Sequence, residues 1–131
     1  MNIVLDVLLK REPHFKASRA VWAMVETGSV DGLLSAHAVT TIHYLIRRHL
    51  GEVKTLRVLT ELLEVFDVAP VDGAVLNRAL IISASDFEDA VTAAAARHAK
   101  CDFIVSRDTT GFRGSSVPCL TPEATIALGL R

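Results

Sequence analysis

Short apolar runs alternate with stretches of helical periodicity along the whole chain, and that alternation restricts the fold more than any other feature. Asp102-Phe103-Ile104-Val105-Ser106 is the clearest strand, since aromatic and β-branched residues sit between polar ends. Val30 to Ala36, entered through Asp31-Gly32, reads as a second strand, and Asp67 to Val71 and Val117 to Leu120 as further short extended pieces. Ile3-Val4-Leu5 reads as the tail of a buried strand.

Between these runs the apolar residues recur three and four apart. Phe15, Ser18, Trp22 and Val25 mark one helix, with Pro13 in its first turn and Thr27-Gly28 closing it. Val39, Ile42, Ile46 and Leu50 form a second stripe that stops at Gly51, and Val53, Leu56, Leu59, Leu63 and Phe66 a third. Helices are also expected over Gly73 to Ala84, Phe87 to Lys100 and from Pro122 onward. Strands separated by helices imply a parallel sheet covered on both faces. The expected fold is α/β, a three-layer α/β/α sandwich around a central parallel sheet, with residues 1–131 as one domain.

The bulk numbers agree. Half of the residues are hydrophobic and 22% are charged, which excludes a disordered chain. A net charge of −1 supplies no global attraction to nucleic acid, so any contact with it needs a local basic patch. Cys101 and Cys119 have neither the number nor the spacing of a zinc site or a disulfide framework. No signal-peptide pattern or membrane-length apolar run is present, so a cytoplasmic protein without a membrane span is expected.

In an open parallel sheet, ligands bind beyond the carboxyl ends of the strands. Asp108 lies just past the strand ending at Val105, and Asp86, Glu88 and Asp89 open a helix. Asp6 follows Ile3-Val4-Leu5. Carboxylates converging at such an edge suit a hard divalent cation, Mg²⁺ or Mn²⁺, that activates water and offsets charge on a phosphate. Each acid also has a plainer reading. Asp86 is an N-cap with Asp89 at the third helical position, Asp108 is a loop acid, and Asp6 starts a helix. Asp89 sits one turn into its helix beside Ala90-Val91, and a functional role is favoured for it. Arg47, Arg48, His49, Lys54 and Arg57 form the one basic cluster, read first as a solvated helix face and second as a phosphate-binding edge. His43, beside Tyr44, reads as a packing residue.

Four blocks, taken in order, resemble those of bacterial PIN domains. They are Asn2-Ile3-Val4-Leu5-Asp6 with its continuation to Pro13, Ser35-Ala36 with Thr40-Thr41-Ile42-His43-Tyr44, Asp86-Phe87-Glu88-Asp89-Ala90, and Ile104-Val105-Ser106-Arg107-Asp108. The resemblance implies a metal-dependent ribonuclease, often the toxin of a toxin–antitoxin pair, and hence an RNA substrate, an antitoxin partner and a homodimer. It places the family's third acid at Asp89 and its fourth at Asp108, with Asp86 as a neighbouring ligand and Asp6 as a substitute catalytic acid. Arg107, Thr41, Arg47 and Arg48 are the substrate-binding candidates. Asn2 matches the asparagine of the family's opening Asp-Thr-Asn, which puts the first acid before Met1 and leaves the first strand truncated. Thr41 stands where the second acid is common. With two carboxylates in place of four, metal affinity falls. Three explanations stay open: a start at an internal methionine, substitution by Asp6, or a degenerate fold that binds RNA or protein without catalysis.

Overall fold

The computed structural model describes residues 1–82 and 86–129. Its elements run α1 (Asn2–Leu8), α2 (Phe15–Glu26), β1 (Leu33–Ser35), α3 (Ala36–Val65), β2 (Asp67–Ala69), α4 (Gly73–Ala79), α5 (Phe87–His98), β3 (Ile104–Val105), a 3₁₀ turn (Thr109–Phe112), β4 (Cys119–Leu120) and α6 (Pro122–Ala127). The α/β class and the parallel pairing follow the sequence reading. The sheet is small: β1 pairs with β2 and β3 with β4, both parallel, as two separate two-stranded units. Ile104 and Ser106 donate their amides to the carbonyls of Pro118 and Leu120, at 2.8 and 3.0 Å, and so set the β3–β4 register.

One expectation is corrected. Ile3-Val4-Leu5 is helical, lying in the first turns of α1 with all three side chains buried. A short apolar run does not distinguish a strand from a helix buried on most sides, and here hydrogen bonds such as Leu9 N–H to the Leu5 carbonyl decide it. Pro13 also precedes α2, whose first helical residue is Phe15, instead of lying in its first turn. The helix expected over Gly73 to Ala84 ends at Ala79; Ala84 lies outside the described residues.

Gly51 does more than stop a helix. Its φ of 77° and ψ of 169° break the long α3 segment into two helices without an intervening loop. That conformation is essentially restricted to glycine. The kink lets Ile42 and Ile46 before it, and Leu62 and Phe66 after it, enter the same core with Val4, Leu5 and Leu34. Trp22 of α2 meets the Phe66 ring edge-on, with centroids 5.2 Å apart.

The alanines of α5 serve two cores. Ala90, Val91, Ala94 and Ala95 pack with Val75 and Ala79 of α4, whereas Ala93 and Ala96 pack with Ile104 and Val117 beside β3. A helix apolar on most of its circumference has to be buried on both sides. Small side chains let α4 and β3 approach it closely. The packing holds the first turn of α5 near the carboxyl ends of the strands.

Candidate active site

Four pieces of chain meet at those carboxyl ends: the start of α1, the start of α3, the start of α5 and the residues after β3. At α5, Asp86 is the N-cap, and its Oδ1 accepts the Asp89 amide at 2.7 Å. Its plainer reading is therefore realised, and its side chain orients the turn that carries Asp89. Glu88 and Asp89 in the first turn, with Arg97 and His98 in the last, complement the helix dipole.

After β3, Ser106 joins the elements. Its Oγ accepts from Asn2 Nδ2 at 3.1 Å and from the Asp108 amide at 3.2 Å. Asp108 caps the following 3₁₀ turn, accepting from the Thr110 amide at 3.1 Å and from its hydroxyl at 2.5 Å.

The acids lie close enough to influence one another's charge. Burial pushes the Asp89 carboxyl above its ordinary range, and Asp86, Asp108 and Glu88 push it further. The Thr110 hydroxyl and amide hold Asp108 below the usual range. Burial raises the Cys119 thiol to about 11, and both Asp108 and Asp89 contribute to that rise. Asp89, Asp108 and Cys119 thus share one neighbourhood, although 30 residues of chain separate the first from the last.

Asp6 has a different surrounding. Its carboxylate is fully buried. Oδ1 accepts from Arg11 Nε at 3.0 Å, and Oδ2 accepts from Ser18 Oγ at 2.9 Å and Arg107 Nε at 2.8 Å. These bonds tie α1 and α2 to the segment after β3. The same contact fixes Arg107 one residue from Asp108.

Thr41 lies one turn into α3, where its hydroxyl donates to the His37 carbonyl at 3.2 Å. Arg47 and Arg48 are not brought to this edge. They lie 11 and 12 residues beyond the start of α3, about 16 Å along its axis. Both are exposed, and Arg47 is 3.7 Å from Glu52. His43 also leans on Glu52, at 3.3 Å.

Two further residues belong to the edge: His37, to which the sequence reading gave no role, and Asn2, which it matched to the family's opening asparagine. The His37 ring nitrogens and the Asn2 Oδ1 are buried and find no partner among the described residues. Burial holds the His37 ring below its ordinary pKa, against the pull of Glu88. His37 follows β1 as Asp108 follows β3, so the rule used for the acids would have found it.

A family model described as the PIN domain matches residues 1–110. The chain belongs to the PIN domain family. No curated protein matched the sequence, and no solved structure matched it either. Membership brings a nuclease-type function, nucleic acid as the class of ligand, and the general dependence of PIN nucleases on a divalent metal. Among the described residues, no three His, Cys, Asp or Glu side chains are grouped closely enough to hold an ion by themselves. No helix among them is long and apolar enough to cross a membrane. The oxygen donors at the edge are the carboxylates of Asp89 and Asp108 and the unpartnered amide oxygen of Asn2, beside the His37 ring and the Cys119 thiol. These oxygens fit a hydrated hard cation, since Mg²⁺ is commonly held through one or two carboxylates and keeps several waters.

Proposed function

We propose that this PIN domain is an endoribonuclease that hydrolyses RNA phosphodiesters with Mg²⁺ or Mn²⁺ held by Asp89 and Asp108. One observation carries the reading: Asp89, whose charged form is disfavoured by burial, is pressed further by Asp108 across the same edge. Like charges gathered at one edge are costly, the nearby Met1 ammonium and Arg113 notwithstanding, and a divalent ion turns that cost into affinity. When bound, the ion supplies activation of water and offsets charge on the phosphate. Asp86 positions Asp89 through the helix cap, and Asp6 positions Arg107 by its hydrogen bond. In this scheme neither acid is a ligand. Arg107 contacts the RNA backbone.

We extend the proposal to a cytoplasmic toxin that acts as a homodimer and is inhibited by an antitoxin. Support comes from exposed apolar side chains: Phe87, two residues before Asp89, is 51% exposed, and Leu80 and Ile81 after α4 are 70% and 82% exposed. An antitoxin with an apolar segment would cover them. A second reading, a PIN fold that binds RNA or protein without cleaving, is favoured by the lack of a three-ligand group among the described residues.

Cleavage of single-stranded RNA in Mn²⁺, comparing wild type with Asp89→Asn, separates the readings. Loss of a residue merely supporting a metal ligand costs about 10- to 100-fold, so loss of a ligand should cost at least about 100-fold. Equal cleavage by both proteins removes Asp89 from the mechanism, and cleavage by neither favours the binding module.

A further inference from the structure

Arg107 points to a second place on the same edge. A cavity of about 200 Å³ opens there, lined by His14, Ala17 and Ser18 from α2, Arg107, and Pro122 and Glu123 at the start of α6. Ser18 and Arg107 connect its wall to the Asp6 hub. Asp6 and Ser18 are fully buried, and Arg107 Nε is pinned to Asp6 Oδ2 at 2.8 Å. A guanidinium held through Nε keeps its Nη1–Nη2 edge as two parallel donors. Among the described residues that edge has no recorded acceptor. The hub also carries a surplus positive charge, two arginines on one aspartate. Glu123 is the one acid in the lining, and it is exposed.

We propose that this cavity is a phosphate subsite in which Arg107 grips the RNA backbone phosphate next to the one at the Asp89–Asp108 edge. The position along the RNA rests on the nuclease reading; the binding of phosphate does not. Arg107 lines the cavity with Ser18 of α2 and with Pro122 and Glu123 of α6, whereas Asp108 acts on Asp89 of α5, and a strand crossing the carboxyl ends of β3 and β4 meets both. The cavity is smaller than the ~300 Å³ at which drug-sized pockets begin, and its fixed donor edge matches a phosphate better than a base.

The test uses the full chain without metal, in EDTA, titrated with inorganic phosphate while the backbone amide resonances of Ala17, Ser18, Glu123 or its replacement, and residue 107 are followed by NMR. A saturable millimolar shift is expected. Arg107→Lys, which keeps a cation for Asp6 but loses the bidentate edge, should weaken binding about tenfold. Glu123→Gln, which leaves the Asp6 hub untouched, should tighten it by about two- to fivefold by removing the opposing charge. No saturable shift, or unchanged affinity in both variants, overturns the subsite. In RNA cleavage, Arg107→Lys should raise KM about tenfold with a smaller change in kcat. Phosphate binding combined with an unchanged KM overturns the assignment to substrate. Because the phosphate titration contains no metal, a failed nuclease reading shows up in the Asp89→Asn cleavage assay and leaves the titration unaffected.

Discussion

Replacing Asp6 by asparagine tests how the edge is held together. The carboxylate is fully buried and accepts three hydrogen bonds, two of them from arginines. Asparagine keeps the shape and one acceptor oxygen, but its amide nitrogen turns a donor toward one of these donors. Removing one partner of a buried ion pair commonly costs about 3–5 kcal/mol, because a charge is left uncompensated. Here the arginines are not sealed in: their side chains are 38% and 30% exposed for Arg11 and Arg107, so water takes over part of the lost contact. The expected loss is therefore about 2–3 kcal/mol. With m near ~1–3 kcal/mol/M in urea, the unfolding midpoint should fall by roughly 1–2 M at an unchanged slope. Single Arg11→Met and Arg107→Met variants, each crossed with Asp6→Asn, should show coupling of about 1 kcal/mol or more. A midpoint shift below about 0.3 M at constant slope would refute the hub as a structural tie.

Two further expectations follow from particular residues. Cys119, raised from 9.0 to about 11, should carry about 100-fold less thiolate at pH 8 than an unperturbed thiol. Thiolate is the reactive form, so in a Cys101→Ser background native alkylation should keep accelerating through pH 10, where the unfolded chain has levelled off. A native rate within about threefold of the unfolded rate at pH 8 contradicts this. Gly51→Ala should destabilise by about 1–3 kcal/mol from backbone strain alone, since an added Cβ meets no atom within 4 Å. An unchanged melting temperature would show that the kink tolerates an L-residue.

How much of this was legible depends on the range of each interaction. The Asp86 cap was readable because its partner lies three residues away, and β3 was readable because its composition is local. Ile3-Val4-Leu5 was misread because an apolar triplet carries no period long enough to separate helix from strand. Asp6 looked available to the site since nothing nearby in sequence reveals that Arg107, 101 residues on, already holds it. Asp89 and Asp108 could be assigned to one edge from topology alone, since both sit where a strand or helix terminus opens on the same side. His37 follows β1 by the same rule but was given no role, because the rule was applied to acids alone. The division of the strands into two pairs had no sequence signal, because pairing partners lie far apart in the chain.

The central claim is that two carboxylates from separate elements jointly hold one divalent ion. Calorimetric titration with Mn²⁺ of the wild type, Asp89→Asn and Asp108→Asn tests it most directly. One saturable equivalent in the wild type, weakened at least about tenfold by each substitution, is the expected result. Absence of binding at millimolar Mn²⁺, or wild-type affinity in both variants, would contradict it.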